Sequence, residues 1–587
     1  VNAGSPQSYA LMADGTTIDT SAGNDDITIT MSTGPATNDA SGDITIEHLN
    51  AGTGDVWIIN NGDDVTGGTG TGNILIASAS SLITAATVTL DATPTSVTTG
   101  SPIALAASVT NVDAIAQSGG VYLTSAGTID VGGATLGALT GISTSTNGPI
   151  SVITTAGNIT ASEAIAPNGS GNVTLAATGG VDLNAAVTLG NGGDFLSTGV
   201  AFDNTGGIIT TTTGTLTITH SGAVIIGAAL VDTSGALAIT GSEIAVDAAI
   251  TASGAATMAF TGATTIDSVN ITTAAGAITF NDDVITETGV VTVTTGVGLG
   301  KITFGDTLTV AGGVLTVIAT EGDVDFDGVV ALGTTGLTVT SSGTTTIGAV
   351  IGGSTAVVDI TATTMTNVDA AITLTSTGTV TLTGPVTIDN VNITTAAGAI
   401  VFDNAVTIEN GAVEISTGSG EGAITFSGTL DGTTNYAETL TLTAGTGHIL
   451  FSGNVGNSID LGAVTIESAG NVTADLVFLA QKITQTAGTG TTTFTGAVTT
   501  LGTLASDGLD LNGAAFTING AVTTGTLGTV TITNSGTLTI GSGGDMTLGG
   551  AFLQDGAGTV TTSGDITTTN DNITFTTAVT LGGAVAL

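Results

Sequence analysis

The passage Asp267-SVNITTAAGAITF-Asn281 returns as Asp389-NVNITTAAGAIVF-Asp403, 122 residues later (389 minus 267). The offset holds from GKITF at Gly300 to GAITF at Gly422. A duplication that stays in register this long means that the chain is built from stacked units rather than around one globular core. Inside it runs a shorter repeat, a glycine followed by an alternating apolar and polar tetrad. Examples are GTLTI at Gly214, GAITF at Gly276, GDVDF at Gly322 and GHILF at Gly447. Its usual spacing is about 22 residues, the length of one solenoid coil and too short for a globular domain.

Alternation says what each unit contains. In GAITF, Ile278 and Phe280 point to one side of a strand and Ala277 and Thr279 to the other. Val, Ile and Thr suit such a pleated, half-buried surface, and the Gly, Asn, Asp and Ser between strands supply turn conformations. No stretch carries a capped amphipathic helical period. A transmembrane barrel needs aromatic girdles, and here aromatics are 3% with Trp57 the single tryptophan. The expected fold is therefore all-β, a parallel β-solenoid (β-helix) with coils of about 20–24 residues. That length predicts about 27 coils and, at the ~4.8 Å strand spacing, an elongated rod of about 130 Å.

Regularity is uneven along the chain. Six of seven prolines lie in the first 167 residues, and Asp91-ATPTSVTTGSPI-Ala104 holds two of them. This places a boundary near residue 95: residues 1–95 form an irregular N-terminal β region or cap, and 96–587 the solenoid, with its duplicated segment at 261–308 and 383–430. Neither end reads as a capping coil. The expectation is a segment of a longer polypeptide or a subunit whose ends are covered by neighbours.

Composition bounds the partners. Lys301 and Lys482 face 47 acids, with no Arg, for a net charge of −45. Such a chain repels nucleic acid and anionic membranes and attracts divalent cations. No Cys means no disulfide and no thiolate metal site. Almost no trypsin sites in a Gly-, Thr- and Ala-rich chain point to an extracellular or cell-surface setting, and no apolar run is long enough for membrane insertion.

The GxITF and GTLTI coils with Gly, Thr and Asn turns resemble the β-helical shafts of filamentous-haemagglutinin-type and autotransporter-type bacterial surface proteins. The resemblance covers most of residues 100–587. It implies a secreted or surface-displayed rod that adheres or builds a coat, although no secretion domain or anchoring barrel is recognisable.

Among candidate sites, Asp323, Asp325 and Asp327 share one strand face about 7 Å apart. They imitate the opening of a calcium loop, but the twelfth position is Thr334 rather than Glu. The plainer reading is a solvated acidic face. Asp25 and Asp26, Asp63 and Asp64, and Asp282 and Asp283 sit in turns, as metal candidates or as turn chemistry. Calcium is the expected ion. Thr215, Thr217 and Thr219 could form an ice-binding face if they aligned coil after coil. Three scattered His and two Lys leave little for a lyase base, and short coils leave no long loops to wall a cleft. The expectation is not an enzyme. It is an extracellular structural protein that self-assembles, head-to-tail or laterally, into a filament, sheath or surface layer aided by divalent cations. The alternative is an adhesin shaft presenting a tip to polysaccharide or a host surface.

Overall fold

The computed structural model describes residues 8–31, 41–60, 72–93, 96–97, 101–232, 234–504 and 506–587. Among these residues there are 71 strands and no helix, and parallel strands stack in about 23 coils. The fold is a β-solenoid, as the repeat predicts. Among the described residues no helix is long and apolar enough to cross a membrane.

The chain divides into two compact units, one of residues 1–284 with 294–300, the other of residues 285–293 with 301–587. In both, a strand pairs with the one three places further along, so a coil holds three strands and has three faces. Where one long strand turns a corner, as Leu237–Val246 does, the offset falls to two.

Three buried columns fill the first unit. Ile129, Ile159, Val181, Phe202 and Val224 are successive register partners in one. Ile142, Ile165, Val187, Ile209 and Leu230 form the second. Val121, Ile150, Val173, Phe195 and Leu216 form the third. All of these side chains are essentially fully buried. Alternation places them there, because the period of two sends each strand's Val, Ile, Leu or Phe inward and its Thr or Asp outward. The second unit repeats the plan with Leu337, Val358, Val380, Ile400, Ile424 and Ile449 in one column. Parallel stacking brings its phenylalanines ring on ring: Phe402 and Phe426 at 5.0 Å, Phe426 and Phe451 at 5.3 Å, their planes 6° and 2° apart.

Coil length explains why there are about 23 coils rather than about 27. Between Leu337 and Ile449 consecutive partners stand 20–25 residues apart. Near the N-terminus the step is 29 residues from Ile27 to Val56 and 32 from Val56 to Val88. The strands before residue 96 nevertheless stack with the same offset as those after it, and Thr87–Ala92 pairs along its whole length with Asn111–Ala116.

The 122-residue duplication is a duplication of conformation. Ser268 and Asn390 both take left-handed φ values, 56° and 48°. The buried hydroxyl of Thr273 donates to the Gly276 carbonyl at 2.6 Å, and that of Thr395 to Gly398 at 2.5 Å. Thr295 with Gly300 and Thr417 with Gly422 match in the same way. A Thr before a tight corner closes the turn with its own side chain.

Candidate functional site

The acidic and amide side chains at the corners have a common structural task. Asp26 accepts the amide of Asp55 at 2.8 Å, and Asp55 in turn accepts that of Thr87 at 3.1 Å. Asn172 accepts Asp194 N at 2.8 Å, and Asp194 accepts Thr215 N at 2.7 Å. Asn471 and Asp545 do the same for Thr491 and Asp565. Each side chain reaches one coil along and caps an amide of its neighbour. Most of these bonds are exposed, so each exchanges with water and contributes only about 0.5–1.5 kcal/mol net, but repeated along the stack they staple coil to coil.

Three of the expected metal ligands, Asp26, Asp323 and Asp282, fall into this scheme. Asp323 accepts Thr344 N at 2.7 Å, and Asp282 accepts Gly262 N at 2.7 Å. Asp283 gives its backbone carbonyl to Thr264 N at 2.7 Å, while Asp25 and Asp327 are exposed. Val324 and Phe326 point inward and the three aspartates outward, as alternation predicts. Asp325 is ion-paired with Lys301, one coil back. The hydrogen bond to Asp325, then the nearby charges of Asp327 and Asp323, hold the Lys301 ammonium above the ordinary lysine pKa. A cation of this chain's own therefore already sits on the acidic stripe. Asp63 and Asp64 lie outside the described residues. Among the described residues no group of three or more His, Asp or Glu gathers at metal-ligand spacing.

Sequence reasoning missed several polar arrangements. Glu47 is fully buried and receives the hydroxyls of Ser81 at 2.6 Å and Ser78 at 2.9 Å. Tyr436 holds a left-handed φ of 63° at the rim of a cleft of about 200 Å³ lined by Asp460, Leu479, Ala480, Thr499 and Leu501. Hydrogen bonding to Asp460 pushes its phenol up to about 12, keeping it a neutral donor. Only the positive φ marks the place as strained, and φ cannot be read from a tyrosine codon in a loop.

Threonine alignment is partial where expected. Thr217 has Leu196 and Ala238 as neighbours, whereas Thr219 stacks with Thr198 and Thr240. The longer column lies in the second unit: Thr473, Thr493, Thr517, Thr539, Thr561 and Thr580.

His220 is 3% exposed, 2.9 Å from the Ser197 hydroxyl and against Phe202. Burial lowers its pKa from 6.5 to about 4. Between those values the unfolded chain takes up a proton that the folded chain refuses. The stability from the neutral imidazole is complete above 6.5 and is lost as pH falls toward 4. Denaturant unfolding is expected to show that His220→Gln loses its disadvantage relative to the parent by about 2–3 kcal/mol between pH 7 and 4.5. A gap that stays constant with pH would show that His220 titrates normally.

The class that fold and corner chemistry define is a parallel β-solenoid stapled by Asp and Asn. No protein-family model matches the chain, and neither a curated protein nor a solved structure matches it.

Proposed function

We propose that this chain is an extracellular structural subunit, a β-solenoid that assembles with copies of itself into a filament, sheath or surface layer. The observation that carries this reading is the coil-to-coil ladder in each unit. Backbone, stacked apolar columns and corner Asp and Asn side chains are all committed to joining one coil to the next. Side-chain chemistry spent in this way produces stiffness rather than turnover. The resemblance to β-helical surface shafts points in the same direction.

The net charge of −45 would keep such subunits apart unless counter-ions intervene. Divalent cations, calcium first, bridge exposed carboxylates such as Asp25, Asp283 and Asp327 between copies. Negative-stain electron microscopy of the purified chain, with calcium and then with a chelator, tests this. Unbranched filaments or sheets that disperse on chelation are expected. Separate particles under both conditions would overturn self-assembly and leave the adhesin shaft as the reading.

A further inference from the structure

In the second unit, loops leave one corner of the solenoid in three of four successive coils. Register locates that corner. Leu430, Val455, Phe478 and Val498 stack before it, and Leu440, Val464, Ile483 and Leu509 after it. The first loop is 432–438, the second 456–460, and the last begins after Thr500 in the fourth coil. In the third coil Phe478–Gln485 runs round the corner as one strand. The gap above that strand is the cleft of about 200 Å³ beside Tyr436.

Hydrogen bonds hold its walls. Buried Glu438 closes the first loop, accepting the Thr433 hydroxyl at 2.8 Å and the Thr434 amide at 3.1 Å. The second loop is tied to the first: Tyr436 N donates to the Asp460 carbonyl at 2.8 Å, and Asp460 N to Asn435 Oδ1 at 3.1 Å. Buried Asp507 closes the last, accepting the Thr503 hydroxyl at 2.7 Å and the Leu504 amide at 2.9 Å. A loop in place of a tight corner also strands a hydroxyl. Thr524, the register partner of Thr500, donates across its own corner to the Gly528 carbonyl at 2.7 Å. Thr500 lines the cleft and is 2% exposed, and its hydroxyl has no partner.

The lining selects a chemistry. Leu479, Ala480 and Leu501 give an apolar bed, Tyr436 an aromatic wall, Asp460 a carboxylate and Thr500 its unpaired hydroxyl. An anion would meet Asp460 and no basic lining residue, on a chain of net charge −45. A metal ion would find a single carboxylate. A wholly apolar ligand would desolvate that carboxylate without pairing it. A pyranose ring has C–H faces for the bed and the tyrosine, and hydroxyl edges for Asp460 and Thr500. The volume lies below the ~300–1,000 Å³ of drug-sized pockets, which leaves room for one ring.

We propose that this cleft binds one neutral pyranose unit of a polysaccharide. The ring lies on Leu479 and Ala480 between Tyr436 and Leu501, donating to the Asp460 carboxylate and accepting from Thr500. The site does not depend on self-assembly, and chains kept separate by a chelator still present it.

The test is binding of the full chain, in chelator, to an array of immobilised neutral, acidic and amino glycans. Binding to neutral glycans is expected, and calorimetric titration with the strongest of them gives the affinity. Thr500→Val keeps the shape and removes only the unpaired hydroxyl. It is expected to weaken binding about three- to tenfold without lowering the unfolding midpoint. Tyr436→Ala is expected to weaken binding by about tenfold or more. No binding to neutral glycans overturns the proposal. So does a preference for the acidic or amino glycans, or an affinity that both variants retain.

Discussion

Replacing Phe426 by alanine is expected to destabilise the second unit by about 3–5 kcal/mol. The ring is fully buried and lies flat between Phe402 and Phe451, so truncation opens a cavity with an aromatic floor and ceiling. The backbone cannot close that gap, because the ladder through Ile424–Phe426 fixes the coil spacing on both sides. In a stacked architecture stability is a sum of nearest-neighbour terms. The loss should therefore be local, with amide protection falling first at Ile400–Phe402 and Ile449–Phe451. Phe426→Leu should cost about 1–1.5 kcal/mol, since most of the volume is kept. Denaturant unfolding with hydrogen exchange measures both. A cost below about 1 kcal/mol for the alanine variant would show that the column collapses inward instead of being held by its coils.

Gly262→Val is expected to be as damaging, for a backbone reason. The strand Met258–Ile266 turns a corner at Gly262, whose φ is 127°. A Cβ there would meet the Gly241 carbonyl oxygen of the preceding coil at 1.9 Å. The next coil contributes the other restraint, Asp282 capping the Gly262 amide. A side chain thus faces a left-handed conformation and a backbone collision at once, and a loss on the order of 3 kcal/mol or more follows. The duplicate position Gly384 is built alike, with φ of 101° and the Ala362 carbonyl at 1.9 Å. Gly352 is the internal control. It lies in strand Ile351–Gly353 with nothing within 4 Å of its would-be Cβ. Gly352→Ala should be neutral or stabilising by about 0.4–1 kcal/mol. Thermal unfolding of the two variants side by side decides the point. Equal effects would mean that the corner at 262 relaxes around a side chain.

The local pattern of the sequence determined the solenoid. Strand alternation is a property of neighbouring residues, so GAITF and GDVDF already place Ile278, Phe280, Val324 and Phe326 inside and Asp323, Asp325 and Asp327 outside. Register over 122 residues required stacked repeats, and the matched turns at Ser268 and Asn390 carry that duplication into the backbone. What a residue meets one coil away is a different matter, because it depends on coil length, and among the described residues partners one coil apart stand 19 (Val560 and Val579) to 34 (His48 and Leu82) residues apart. Only the tertiary structure decided that three strands make a coil, that Lys301 lands on Asp325, and that Asp282 caps Gly262. The same holds for Asp113 capping the amides of Gly141 and Ala134, and for Gly137 lying against Trp57. A short-range period can specify which side of a strand is buried, but the partner across the coil is fixed by the sum of every intervening turn.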